Sequence, residues 1–169
     1  MNETRSLLSE DDLYLFNEGS HLKLYEKLGA HVMDGGVHFA VWAPDAQSVS
    51  VIGDFNGWAK GANPLQPRGV SGIWEGFIEG LMIADAYKYH IESRHMGYQV
   101  EKADPFAFHA ETPPKTASKV WQLDYDWSDA EWMAHRAERQ TLEQPVSIYD
   151  TRSFTKAVSY GGCIAASPC

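Results

Sequence analysis

The chain has 169 residues, with 14 lysines and arginines against 23 aspartates and glutamates, a formal charge of −9, and 44% hydrophobic side chains. That length suits one ordinary domain with a packed core and is too short for a complete (β/α)8 barrel, which takes roughly 250 residues. The acidic balance argues against nucleic acid or an anionic membrane surface as partner, and no apolar run is long enough to span a bilayer. Met1-Asn2-Glu3-Thr4-Arg5 shows no secretory pattern, and the only cysteines are Cys163 and Cys169. A disulfide framework is thereby excluded, and a reducing cytoplasm is the expected location.

Ser9-Glu10-Asp11-Asp12 reads as a helix start, a hydroxyl cap followed by acids at the positive end of the helix dipole. Leu13, Leu15 and Phe16 follow, and Gly19 is placed to stop that helix. A second short helix is expected from His21 to Leu28, ending at Gly29. From Ala30 the period changes to two. Val37, Phe39 and Val41 share one face of a strand, and His38, Ala40 and Trp42 share the other, with Asp34-Gly35-Gly36 supplying a hairpin turn. Further strands are expected at Ser48–Gly53, Gly72–Ile78, Ala86–Glu92 and Met96–Val100. Short strands separated by Gly, Pro, Asn and Asp predict a mainly β fold, an immunoglobulin-like antiparallel β-sandwich with short N-terminal helices and one C-terminal helix. That last helix is read at Ser128–Gln140, from a capping box at Ser128-Asp129-Ala130-Glu131 and the spacing of Ala130, Met133, Ala134 and Ala137. Pro145–Tyr149 reads as one more strand. The nineteen residues from Thr151 onward hold Arg152 and Lys156 and no acid, whereas residues 1–150 hold 12 basic and 23 acidic side chains.

The sharpest local feature is Gly53-Asp54-Phe55-Asn56-Gly57-Trp58, a tight turn directly after a strand. Two readings of its aromatics stay open. Phe55 and Trp58 can both anchor the turn to the core, or Trp58 can stand at the loop edge as a platform for the apolar C–H face of a sugar ring. In Tyr87-Lys88-Tyr89 the tyrosines share one strand face and Lys88 takes the other. Lys88 is then either an ordinary exposed lysine or a second group on the Trp58 surface. The seven histidines are scattered without ligand spacing, the two cysteines form no zinc or redox motif, and no phosphate-binding loop or nucleophile elbow occurs. No metal, cofactor or catalytic residue is expected. No pair among the acids carries the context that glycosyl chemistry needs.

Four words occur in order: Phe39-Ala40-Val41-Trp42-Ala43-Pro44, Gly53-Asp54-Phe55-Asn56-Gly57-Trp58, Gly72-Ile73-Trp74-Glu75 and Tyr87-Lys88-Tyr89. Together they resemble the family 48 carbohydrate-binding module that precedes the barrel in α-amylase-superfamily enzymes. Leu24–His31, Lys102-Ala103-Asp104-Pro105-Phe106-Ala107, Pro113–Ser118 and Asp129–Met133 resemble bacterial glycogen branching enzymes in particular, and the similarity runs from about Asp12 to Asp150.

The resemblance implies an enzyme of glycogen synthesis that cuts an α-1,4-glucan and rejoins the piece through an α-1,6 bond. Its nucleophilic aspartate and acid/base glutamate lie on barrel strands that nothing here matches. The expectation is therefore a non-catalytic chain, truncated before the catalytic barrel. Residues 1–29 are then a helical lead-in, 30–110 the binding sandwich, 111–150 a linker, helix and first barrel strand, and 151–169 an unrelated tail read in a shifted frame. The same resemblance implies α-glucan, either glycogen or maltooligosaccharide, as partner, with Trp58, Lys88 and Tyr98 as its contacts. A stand-alone glucan-binding or regulatory module and a nonfunctional remnant are the alternatives.

Overall fold

The computed structural model describes residues 6–139, and the chain divides into two compact units, 1–124 and 125–169. In the first unit the hairpin is formed by β1 (Gly29–Met33) and β2 (Gly36–Trp42), joined through Asp34–Gly35. β3 (Ala46–Gly53) follows, then the two-residue β4 (Gln66–Pro67), β5 (Ile73–Glu79), β6 (Ala86–Ser93), β7 (Gln99–Lys102), and the two-residue β8 (His109–Ala110) and β9 (Ser118–Lys119). One sheet runs β1-β2-β5-β4 and the other β3-β6-β9-β8, with β7 also on β6; every pairing is antiparallel. The expected mainly β sandwich is what forms, and its second sheet reaches past residue 110 through β9.

Alternation decides which side chains meet. Val37, Phe39 and Val41 from β2, Trp74 and Ile78 from β5, Val49 and Val51 from β3, and Tyr87 and Tyr89 from β6 share one apolar core between the sheets. Phe39 and Tyr87 meet edge to face at 5.0 Å between ring centroids. Each fully buried side chain of this size contributes about 1.5–3 kcal/mol of transfer free energy. The opposite face of the first sheet carries Ala40 and Ile73, which cluster with Leu8 and Leu28 and with the half-buried Leu13, Phe16, Leu24 and Phe106. The N-terminal segment is therefore the cover of that face.

That segment is built on α1 (Glu10–Glu18), capped by Ser9 and Asp12 in a reciprocal capping box and stopped by Gly19 in the left-handed region at φ 74°. Both ends fall where the sequence places them. The expected helix over His21–Leu28 is instead a single 3-10 turn at Leu24–Glu26. His21 and Lys27 both reach back to Asp12, at 2.9 and 3.0 Å, and Lys27 also donates to the carbonyl of Leu7 at 3.0 Å. Those tethers to α1 hold the segment in a compact turn rather than a continuous helix. The expected strand at Met96–Val100 is β7, shifted to Gln99–Lys102, because Met96 and Gly97 both have positive φ in the turn before it.

In the second unit the expected helix from Ser128 is two short pieces, α2 (Ala130–Ala134) and α3 (Arg136–Arg139). The cap position is Asp129 rather than Ser128, it makes no side-chain capping bond, and α2 buries no residue. The expected strand at 145–149 and the tail at 151–169 lie outside the described residues. No helix among the described residues is long and apolar enough to cross a membrane.

Two buried acids tie the layers. Asp104 Oδ2 accepts from the Tyr87 and Tyr89 hydroxyls at 2.6 and 3.1 Å, and Oδ1 accepts from the Phe106 amide at 2.8 Å. Burial raises its carboxyl above the ordinary range, while these donors partly offset that. Glu75, on the covered face of the first sheet, accepts from Ser6 Oγ at 2.8 Å and faces His38 Nε2 at 3.1 Å and Arg68 Nε at 3.2 Å. Here burial pulls upward, but His38, Ser6 and Arg68 together hold the carboxyl below its ordinary value.

Asp104→Ala leaves two buried phenols without their acceptor and is expected to lower unfolding free energy in urea by about 3 kcal/mol. Glu75 has the opposite titration sign. Its folded pKa lies below the ordinary 4.5, so its contribution is complete above that pH and fades as pH falls through the folded value. Urea midpoints for wild type and Glu75→Gln are expected to differ at pH 7 and to converge as the pH is taken well below 4.5.

Candidate functional site

The turn that follows β3 is a single 3-10 turn, Asp54–Asn56, and then two residues with positive φ, Gly57 at 62° and Trp58 at 60°. A tryptophan in that region costs roughly 1–2 kcal/mol, so the turn must be held from elsewhere. Asn56 does this. Its Oδ1 accepts from the Gly53 amide at 3.0 Å, and its Nδ2 donates to the Val51 carbonyl at 3.0 Å and to Asn63 Oδ1 at 2.7 Å. The Trp58 amide closes the loop onto the Gly53 carbonyl at 2.8 Å. Gly53 itself is required, because a Cβ there would stand 2.2 Å from the Ala86 carbonyl oxygen of β6.

The two aromatics of the turn divide the work. Phe55 packs against the sandwich core, whereas Trp58 belongs to neither apolar cluster and stays half-buried, its Nε1 donating to Asp54 Oδ1 at 2.8 Å. Phe55 is the anchor and Trp58 is the presented ring.

Lys88 arrives from β6, on the face opposite Tyr87 and Tyr89. Its Nζ lies 6.0 Å from the Trp58 ring centroid, at the outer reach of a cation–π contact, and donates to Thr116 Oγ1 at 2.9 Å. Thr116 is carried by a loop that Glu111 closes. The Glu111 amide donates to the Ala117 carbonyl at 2.9 Å, and the Ala117 amide donates to Glu111 Oε2 at 3.2 Å. Lys115 pairs with Glu111 at 3.4 Å, and Lys60 pairs with Glu101 at 3.3 Å. Trp58, Lys88, Lys115, Thr116 and Ala117 line an open depression of about 400 Å³ together with Asp54, Glu101 and Glu111.

The arrangement offers one aromatic face, one hydroxyl, two ammonium groups and several carboxylates whose charge is largely matched. Such a surface suits an uncharged ring that is apolar on its faces and hydroxylated on its edges. Among the described residues, no group of three or more His, Cys, Asp or Glu could hold a metal ion.

Of the three residues singled out in the sequence, the structure brings Trp58 and Lys88 together and leaves Tyr98 apart. Tyr98 is 61% exposed in the turn between β6 and β7, where its carbonyl accepts from the Ser93 amide at 2.8 Å. Ser93 is five residues along β6 from Lys88, a span of about 16 Å at the usual strand rise. Asp54, Glu101, Glu111 and Thr116 were not singled out. Asp54 was within reach, as an acid four residues before the turn tryptophan. Thr116 depends on a loop closure that local sequence does not encode.

Residues 27–107 match the model of carbohydrate-binding module 48 (isoamylase N-terminal domain). The chain is 54% identical over 144 residues to the 1,4-alpha-glucan branching enzyme GlgB of Albidiferax ferrireducens, covering 84% of this chain and 23% of that one. It is 53% identical over 148 residues to the enzyme of the same name from Aromatoleum aromaticum, covering 87% and 23%. Among solved structures, PulA from Klebsiella oxytoca is similar at 31% identity, covering 57% of this chain and 10% of that one, with a TM-score of 0.49. The chain thus spans less than a quarter of the length of both branching enzymes. The segment from 27 to 107, which contains both the presented tryptophan and the strand lysine, is the part of the chain that matches the carbohydrate-binding module 48 family.

Proposed function

We propose that this chain is the glucan-binding part of a 1,4-alpha-glucan branching enzyme, and that it holds an α-1,4-glucan across Trp58, Lys88 and Thr116. The observation that carries the reading is the presented indole, left out of the core while its half-buried neighbour Phe55 packs against that core, with Lys88 Nζ 6.0 Å from the indole ring. One glucose ring lies flat on the indole. Its hydroxyls exchange hydrogen bonds with the Lys88 ammonium, the Thr116 hydroxyl and the carboxylates of Asp54 and Glu101. The paired charges around the rim orient these groups without selecting an ion. Tyr98 is a separate contact, at the end of β6 about 16 Å along the strand from Lys88.

In this reading the chain binds and does not transfer. Chain cutting and α-1,6 rejoining belong to a catalytic barrel that is its partner in the complete enzyme, and cytoplasmic glycogen is the polymer it meets.

Affinity electrophoresis in glycogen-containing gels tests the site. Wild type is expected to be retarded, Trp58→Ala to lose about tenfold in apparent affinity, in line with about 1.4 kcal/mol for an aromatic contact, and Lys88→Ala and Thr116→Val to lose a few-fold each. Equal retardation of wild type and Trp58→Ala, or none in wild type, overturns the reading. Formation of α-1,6 branches on amylose by the purified chain overturns its binding-only part.

A further inference from the structure

A second depression, of about 390 Å³, lies between α1 and the turn Arg68–Ser71 that leads into β5. From α1 it is lined by Glu10, Leu13, Tyr14 and Asn17, and from the turn by residues 68–71. Glu10, Tyr14 and Asn17 are spaced i, i+4 and i+7, so one stripe of the helix supplies an acid, an aromatic ring and an amide in a row. Leu13, at i+3, adds an apolar edge to the groove and packs with Phe16 against the cluster on the first sheet.

The walls are fixed. Arg68 Nη2 donates to Glu10 Oε1 at 3.1 Å and to the Leu8 carbonyl at 3.2 Å, while its Nε stands 3.2 Å from Glu75 Oε1, a buried acid. One guanidinium therefore ties the turn, the helix start and the first sheet together. Tyr14 is held by its hydroxyl, which donates to Glu18 Oε1 at 2.7 Å, and the ring remains 61% exposed. Ser71 Oγ donates to the Arg68 carbonyl at 2.8 Å and accepts from the Ile73 amide at 3.1 Å, which fixes the turn. Val70 at its tip is fully exposed.

We propose that this groove is a second saccharide-contact site, taking an uncharged α-glucan segment on the Tyr14 ring, with its hydroxyls on Asn17 and on the Arg68–Glu10 pair. Its composition repeats that of the Trp58 depression: an aromatic ring outside the core, a neutral polar side chain and an acid already matched by a base. A lining of one acid and one base gives no reason for an ion to settle there. An aromatic beside an amide and a fully exposed valine suits a ligand with apolar faces and polar edges. The choice of glucan rests on the reading of the Trp58 site, whereas the existence of the groove does not. Two separate sites on one module raise the apparent affinity for a branched polymer well beyond that of either alone, without any new contact.

The test is a maltoheptaose titration of the ¹⁵N-labelled chain, read by amide and indole resonances, in wild type, Trp58→Ala, Tyr14→Ala and the double variant. Two sets are expected to move in wild type, one around Asp54–Trp58, Lys88 and Thr116, the other at Tyr14, Asn17 and Gly69–Ser71. Trp58→Ala is expected to silence only the first set and Tyr14→Ala only the second. Glycogen affinity is expected to fall at least tenfold further in the double variant than in either single one. An unmoved second set in a normally folded wild type overturns the proposal, as does unchanged glycogen affinity in Tyr14→Ala. Asn17→Ala, an exposed helix substitution, gives the same reading should Tyr14→Ala perturb the fold. Movement of the second set without the first leaves this site standing and removes the Trp58 reading instead.

Discussion

Two tyrosine hydroxyls converge on one carboxylate oxygen of Asp104, and the register of the second sheet depends on that convergence. β6 is its hub. One edge pairs with β3, and the other is divided between β9, at Ala86 and Tyr87, and β7, from Tyr89 to Glu92. Asp104 sits just beyond the end of β7, its amide donates to Ser118 Oγ of β9 at 2.9 Å, and its carboxylate takes both tyrosines of β6. A slip of one residue in β6 would send both rings outward and Lys88 into the core. Neither is compatible with a buried acid waiting for two phenols. The same acid turns the chain through Phe106, whose ring joins the cluster beneath the N-terminal segment. Its backbone lies so close to Gly29 that a Cβ there would meet the Phe106 carbonyl oxygen at 3.1 Å. With a φ of 103° as well, that position accepts little besides glycine.

From that register the Trp58 surface follows. With Tyr87 and Tyr89 inward, Lys88 must point away from the core, and Ala86 presents its carbonyl to the turn after β3. The turn fits only because Gly53 has no side chain, and Asn56 then holds Trp58 in a backbone conformation that tryptophan disfavours. A strained residue at a surface, supported by three side-chain bonds from a neighbour, is costly for a position whose only task is packing. Phe55 already does the packing. The cost is consistent with selection for where the indole stands.

How much of this was legible in the sequence depends on the range of the interaction. The faces of β2 and β6 were legible, because a period of two is local and Val37/Phe39/Val41 or Tyr87/Tyr89 declare it. The ends of α1 were legible for the same reason, through Ser9, Asp12 and Gly19. The two-residue strands β4, β8 and β9 have no room for a period and exist only through their pairings, β4 on β5, β9 on β6 and β8 on β9. His21–Leu28 has a helical composition, but His21 and Lys27 are tied to Asp12, and those tethers override a weak propensity. The helix expected at Ser128 had the right residue types, yet its apolar stripe buries nothing in α2 and the helix is interrupted at His135. At the site, Trp58 and Lys88 were legible as residue types, while their meeting with Thr116, 28 residues beyond Lys88, was not. Glu75 is the extreme case. As one acid in a strand it is unremarkable in sequence, and its role appears only when Ser6, 69 residues earlier, closes over it.

The two sheets treat their outer faces in opposite ways, and this explains where binding can occur. The outer face of the first sheet carries Ala40 and Ile73, too apolar to leave to water, together with Glu75 and His38, too polar to bury without partners. The N-terminal segment resolves both demands, laying Leu8, Leu13 and Phe16 over the apolar floor and Ser6 over the acid. The outer face of the second sheet carries Lys88 and Glu101 beside Ser48 and Glu92, which bond each other at 2.8 Å, while Ile52, Ser50 and His90 on the same face are buried. The exposed part of that face, hydroxyl- and charge-bearing with one aromatic set beside it, is what a hydrated polymer can approach. Covering the first sheet also has a structural by-product. A helix laid against a turn leaves a groove along its unburied stripe, and because Arg68 must reach Glu75 to satisfy the buried acid, the same guanidinium shapes that groove.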